Sequence, residues 1–270
     1  MKPSPEELLR VLQEQGLREI AALTPTDGGE SGSAYWARDR SGEMSIVKVQ
    51  PVTGPDAESP DAESQVRRLD ATVRRLRERG YPAPRLLDVG CAGGMQFWRQ
   101  ELLPGSTVEM DGTPDFAAIG RLLPELLRLN DTQAGLGSGA PRLGDLLRTT
   151  LAVGGDGYCV HATLRDDPRT RDLLAIVRNA GERYAADVPD RGDYVHYDFN
   201  TANILSDGTA VTGVIDINAP VISGDRAFDL ATLLFYVYDH DGLRDGLRTR
   251  LLELDSPGVA AVYLAHMVLR

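Results

Sequence analysis

Apolar positions recur at helical spacing near the start of the chain, where the stretch after Pro5 (PEELLRVLQEQG) reads as an acidic amphipathic helix. Residues 20 to 50 change period: TPTDGGESGSAYWARD reads as a glycine-bearing hairpin, and Met44 to Val49 as a short strand after the turn Arg40-Ser41-Gly42. A helix is predicted over about Asp61 to Arg79, with Val66, Leu69, Val73 and Leu76 on its inward face and Gly80 as its stop. The extended YPAPRLLDVG leads into a strand pair that ends at QFWRQELLPG, and Pro104-Gly105 marks the best boundary in the chain. Beyond it the period is mostly helical, beginning with PDFAAIGRLLPELLRLND and broken by glycine-rich stretches at Thr132 to Arg142 and Val153 to Gly157. Tyr194 to Leu205 and Val211 to Ile217 read as two strands around the turn Ser206-Asp207-Gly208, and helices resume near Arg226. The closing VAAVYLAHMVLR is an apolar helical pattern without a stop signal.

At 270 residues and 42% hydrophobic composition, the chain can bury one large core or two modest ones. The net charge of -11 opposes nonspecific binding to nucleic acid or to an anionic membrane. The arginine-dense stretch from Arg67 to Arg79 falls on the predicted helix and reads as its solvated face. Cys91 and Cys159 form no C-x-x-C pair, which argues against a metal knuckle or a disulfide framework and leaves two reduced thiols as the expectation. No signal-peptide core is present, and no apolar run approaches the roughly 18 to 20 residues that span a bilayer, so a soluble, cytoplasmic protein is expected. Of 29 Lys+Arg residues only Lys2 and Lys48 are lysines, so a chain that writes arginine nearly everywhere keeps an ammonium in the strand SIVKV.

The densest chemistry lies in His196-Tyr197-Asp198-Phe199-Asn200-Thr201-Ala202-Asn203, where a carboxylate and a carboxamide stand five residues apart, and a second carboxylate follows the next turn in Val214-Ile215-Asp216. Phosphoryl transfer needs such groups: one carboxylate to orient the attacking hydroxyl and accept its proton, and hard oxygen ligands to hold Mg²⁺ against phosphates. The His-x-Asp-x-x-x-x-Asn spacing is that of a kinase catalytic loop. Only nine positions separate Asp216 from Asp225, too few for the activation segment of a protein kinase.

HYDFNTANIL, VTGVIDIN and GDRAFDLATLL together resemble the aminoglycoside phosphotransferase and choline kinase-like family, whose patterns are H-G-D-x-x-x-x-N, V-x-G-x-I-D-[WF] and G-D-x-x-x-D-L-A. The resemblance implies an α+β, bilobal protein-kinase-like fold. It would comprise a small strand-rich nucleotide-binding lobe over 1–103, with the hinge at its end, and a larger, mainly helical catalytic and acceptor-binding lobe over 104–270. It further implies Asp198 as the catalytic base, Asn203 and Asp216 as Mg²⁺ ligands, and His196 as a packing residue beneath the loop. Lys48 would pair with the α- and β-phosphates, with Glu63 slightly preferred over Asp70 as its helix partner. Ser31, Gly32 and Ser33 would cover the phosphates, Glu101 and Leu103 would read the base of ATP or GTP at the hinge, and Asp229 would brace the loop from below. Tyr197, Asn200, Thr201 and Asn218 depart from the family pattern beside the acceptor position. The expected acceptor is a small-molecule hydroxyl, most readily on an aminoglycoside or another antibiotic. A kinase of homoserine, choline or a sugar is the alternative, and a catalytically inactive nucleotide-binding module is the competing class. Asp156, Asp193 and Asp225 are acceptor-side candidates, and solvated loop carboxylates are the bland reading of each.

Overall fold

The computed structural model describes residues 4–26, 33–52, 60–137, 139, 141–155 and 161–270. The chain divides into two compact units. Unit 1 comprises Met1–Arg77, Ala83–Leu103 and Asn218–Pro220, and unit 2 comprises Glu78–Pro82, Pro104–Ile217 and Val221–Arg270.

Unit 1 opens on helix α1 (Pro5–Glu14). Ser4 and Glu7 form its capping box, each side chain accepting the other's backbone N–H, with Pro5 at the first helical position. Five strands follow: β1 (Ile20–Pro25), β2 (Ala34–Asp39), β3 (Met44–Pro51), β4 (Leu86–Ala92) and β5 (Met95–Glu101). They form one antiparallel sheet in the order β1-β2-β3-β5-β4. Strand alternation sends Val47, Val49 and Phe97 into a cluster with Leu8, Leu12, Ile20, Tyr35 and Ala37. Lys48 lies in register with Ala34 on one side and Trp98 on the other. Helix α2 (Pro60–Glu78) buries Val66, Leu69, Val73 and Leu76, each at most 1% exposed, as its periodicity predicts. It is tied to β5 by Gln96 Nε2, which donates to Ala62 O and Gln65 Oε1. Gly80, with φ 79°, supplies the left-handed residue that stops the helix.

Unit 2 begins with the short strands β6 (Ser106–Thr107), β7 (Glu109–Met110) and β8 (Thr113–Pro114), followed by helices α3 (Phe116–Thr132), α4 (Leu143–Val153), α5 (His161–Asp166) and α6 (Arg171–Tyr184). Then come β9 (Asp193–Val195), β10 (Ile204–Ser206), β11 (Val211–Val214), β12 (Ile222–Gly224), and helices α7 (Ala227–Tyr236), α8 (Asp241–Leu254) and α9 (Pro257–Leu269). β11, β10 and β6 form one small sheet, and β12 pairs with β9. α7 is buried along its whole first two turns, Ala227 to Leu234, and α9 buries Val262, Tyr263 and His266 completely. The single strand expected over Tyr194 to Leu205 is two short strands. Between them residues 196 to 203 leave the sheet, and Asn200 caps a 3₁₀ turn by accepting the Ala202 N–H at 3.0 Å. Among the described residues, no helix is long and apolar enough to cross a membrane.

Candidate active site

The loop that follows β9 hangs from one buried carboxylate. Asp229, on the first turn of α7 and 0% exposed, accepts His196 N–H at 2.9 Å, Tyr197 N–H at 3.0 Å and Gln133 Nε2 at 2.6 Å. Burial pushes this carboxyl above its ordinary range, against the lowering effect of His196 and of the hydrogen bonds it accepts. Two successive N–H groups drawn to one carboxylate turn the chain sharply. Tyr197 takes a left-handed φ of 70°, the conformation that explains why a small residue suits this position. The tyrosine is held there by stacking on Phe228 (centroids 5.4 Å apart, planes at 16°) and by its hydroxyl, 2.9 Å from His266 Nε2.

The turn delivers Asp198. Its Oδ1 accepts Asn200 Nδ2 at 2.9 Å and its Oδ2 accepts Asn203 Nδ2 at 3.1 Å. Asn203 Nδ2 also donates to Asp198 O at 2.9 Å. The Asp198 N–H points at His196 Nδ1, 3.3 Å away, so the imidazole proton sits on Nε2 and is donated to Ile215 O at 2.8 Å. Ile215 N in turn donates to Asn203 O at 2.9 Å. His196 and Asn203 thus tie the loop to the residue that precedes Asp216, itself in a left-handed conformation with φ 65°. Both N–H groups of the Asn203 carboxamide go to Asp198, so its oxygen is the atom left to face a cation. An amide oxygen and a carboxylate on adjoining backbone suit Mg²⁺, which takes few protein ligands and completes its octahedron with phosphate and water. Among the described residues no cluster of three or more His, Cys, Asp or Glu could hold a metal by itself.

Three groups near Asp198 escaped the sequence reading. Arg270 Nη2 lies 3.5 Å from Asp198 Oδ1. Burial and the charge of Asp198 push the Tyr236 phenol upward, opposed by Arg270 and by a hydrogen bond with the Asn200 side chain, which locates that ring beside the loop. Glu109 Oε2 accepts the Thr201 hydroxyl at 2.9 Å. None of the three has a motif around it, and only tertiary packing brings them here.

The acceptor-side candidates have structural occupations instead. Asp193, 2% exposed, accepts Gly135 N–H and pairs with Arg226 at 2.9 Å. Asp225, 1% exposed, accepts Ala227 N–H and the Tyr263 hydroxyl and shares Arg191 with Asp255. Burial and the neighbouring Asp225 raise the Asp255 carboxyl to about 7. Asp156 lies outside the described residues.

In unit 1, Lys48 is 8% exposed and its Nζ donates to Asn218 Oδ1 at 3.1 Å. Glu63 pairs with Arg67 and Asp70 with Arg74, one turn along α2 in each case. The Glu101 carboxylate accepts Arg85 N–H and Arg77 Nη1, both at 2.8 Å, and Leu103 is half-buried. Ser33 O accepts Val49 N–H at 2.8 Å, while Ser31 and Gly32 lie outside the described residues. Arg99 is occupied by Asp88 and Glu19. Cys91 is a free thiol, pushed up by burial, and Cys159 lies outside the described residues.

Set against known proteins, the sequence model of the phosphotransferase enzyme family matches residues 22–263. No curated protein sequence matches the chain. Among solved structures, an aminoglycoside-3'-phosphotransferase of type VIII is 21% identical with a TM-score of 0.64, covering 97% of this chain and 98% of that one. A thermostable mutant of aminoglycoside phosphotransferase APH(4)-Ia, in ternary complex with ADP and hygromycin B, is 16% identical with a TM-score of 0.65, covering 96% and 88%. APH(3'')-Id from Streptomyces rimosus, in complex with ADP and streptomycin, is 17% identical with a TM-score of 0.63, covering 97% of each chain. The fold is therefore the kinase-like α+β fold of the aminoglycoside phosphotransferases, and the chain belongs to the phosphotransferase enzyme family as a small-molecule kinase.

Proposed function

We propose that this enzyme transfers the γ-phosphoryl group of ATP, with Mg²⁺, to a hydroxyl of an aminoglycoside or another antibiotic. The observation that carries the reading is the Asp198 carboxylate, fixed from two sides by Asn200 and Asn203 at the end of a loop tied to the backbone beside Asp216. Asp198 orients the acceptor hydroxyl and takes its proton as the acceptor oxygen bonds to the γ-phosphorus and the bond to the departing ADP oxygen breaks. Mg²⁺ held by Asn203 Oδ1 and Asp216 would supply charge neutralisation at the phosphates. Lys48 would pair with the α- and β-phosphates, Ser31, Gly32 and Ser33 would lie over them, and Glu101 and Leu103 would offer backbone groups to the base.

ATP is favoured because two similar enzymes were captured with ADP. An aminoglycoside acceptor draws support from the hygromycin B and streptomycin bound in those relatives, and from a net charge of -11 that attracts polycations. One observation favours a second reading. The Arg270 guanidinium beside Asp198 opposes an ammonium next to the reacting hydroxyl and suits a metabolite acceptor that is neutral or bears a carboxylate there.

The test is ADP release from Mg-ATP over a panel of aminoglycosides, other antibiotics, homoserine, choline and sugars, with Asp198→Ala as control. Transfer to one class, reduced about 10²–10⁴-fold in the variant, is expected. Undiminished turnover in the variant would remove Asp198 from the chemistry. Nucleotide binding without transfer to any acceptor would favour an inactive module.

A further inference from the structure

Arg270, just past helix α9, makes three contacts with two consecutive loop residues. Its Nη1 donates to Tyr197 O at 2.8 Å, its guanidinium carbon lies 4.9 Å from the Tyr197 ring centroid, and its Nη2 lies 3.5 Å from Asp198 Oδ1. The Arg270 side chain is 17% exposed and that of Asp198 28%, so the attraction between them is only partly screened by water. One turn earlier, His266 Nε2 lies 2.9 Å from the Tyr197 hydroxyl, so the C-terminal end of α9 and the residue that caps it grip the left-handed residue by its ring, its hydroxyl and its carbonyl.

We propose that Arg270 is a positioning residue for the transfer reaction: its charge, aimed by Tyr197, holds the Asp198 carboxylate in the orientation that receives the acceptor hydroxyl. The inference rests on the phosphotransferase reading above and adds to it a determinant outside the motif loop. The carboxylate already accepts Asn200 on Oδ1 and Asn203 on Oδ2, and two amide donors fix its plane. The guanidinium adds a directional pull on Oδ1. Without it, rotation about the Cα–Cβ bond is opposed only by the two amide donors, neither of which carries a net charge to draw the carboxylate. Since about 1 Å of misplacement can cost on the order of 10²-fold in rate, a partial loss of order at Asp198 shows in kcat before it shows in binding.

Arg270→Gln keeps an N–H for Tyr197 O and removes the charge, whereas Arg270→Lys keeps the charge and loses the fork. Slow hydrolysis of Mg-ATP by water is followed as ADP release, since it needs no acceptor, alongside thermal unfolding and crystal structures of both variants. The expected result is kcat about tenfold lower in Arg270→Gln, KM for ATP unchanged within about twofold, and kcat in Arg270→Lys restored to within about threefold of wild type. In crystals of Arg270→Gln the Asp198 carboxylate is expected to spread over two orientations, and in Arg270→Lys to keep one. Equal kcat in wild type and Arg270→Gln, or equal losses in both variants that track their melting temperatures, would overturn the proposal. If the wild type turns over ATP neither with water nor with any acceptor of the panel above, the phosphotransferase reading fails. The crystals then decide separately, with a single unmoved Asp198 in Arg270→Gln overturning the positioning role.

Discussion

Replacing Asp229 measures how much of the site depends on a residue that the reacting groups never touch. The carboxylate accepts three donors from full burial: His196 N–H and Gln133 Nε2 on Oδ2, and Tyr197 N–H on Oδ1. Each buried donor left without a partner costs about 1–3 kcal/mol, so Asp229→Ala strands groups worth ~3–9 kcal/mol in sum. Two effects bring the expected loss down to about 3–4 kcal/mol. Burial already penalises the charged carboxylate, and the emptied space can admit a water. Asp229→Asn keeps one acceptor oxygen for His196 and Gln133 and turns an amide N–H toward Tyr197 N–H, so about 1–3 kcal/mol is expected. Urea unfolding followed by far-ultraviolet circular dichroism gives both numbers, with the slope checked for constancy. Turnover should fall further than stability, because the freed N–H groups of His196 and Tyr197 are what bend the chain toward Asp198. An alanine variant within about 0.5 kcal/mol of wild type, the range of an ordinary surface substitution, would refute this account of the loop. So would an asparagine variant as unstable as the alanine one.

Lys48→Met should lower kcat/KM for ATP by about 10²-fold while leaving the melting temperature within a few degrees, because the methionine stem fills the same strand position; steady-state kinetics at varied ATP checks it. The buried pair Asp225 and Asp255, facing Arg191 and Tyr263, predicts a pH dependence of stability. The Asp255 carboxyl titrates at about 7 in the fold and near its ordinary 3.8 when unfolded, so between these values the native state binds the extra proton. Stability should therefore fall as pH rises through this window, by up to about 1.4 kcal/mol per unit, and level off above about pH 7. Asp255→Asn should remove that slope in denaturation curves taken from pH 5 to 8, and a slope unchanged in the variant would place the titration elsewhere.

Helices were the most legible part of the chain. The inward stripe Val66, Leu69, Val73 and Leu76 is buried as its spacing requires, and Gly80 stops α2 with a positive φ. The motif loop was legible in its chemistry but not in its backbone. Alternation in VHYDFN continues through Asn200, so nothing in the pattern shows that the strand breaks after Val195. The break comes from Asp229, 33 residues from His196, drawing two adjacent N–H groups to itself. Asp225 and Asp193 show the opposite failure. Carboxylates beside turns read as solvent or ligand groups, yet both are buried against arginines that only the fold brings near. Arg270 was illegible for the same reason, since its partners Tyr197 and Asp198 stand some seventy positions earlier.

The assignment of Asn218–Pro220 to unit 1 bears on how the protein is made. All five strands of that sheet have left the ribosome once Glu101 is free, but the asparagine that receives the Lys48 ammonium is encoded 170 residues after the lysine. At about 5–20 residues per second, Asn218 is added roughly 10–30 s after Lys48. A gene fragment that stops at the apparent boundary after Leu103 never supplies it. The first unit to be translated is thus completed by a tripeptide synthesised after most of the second.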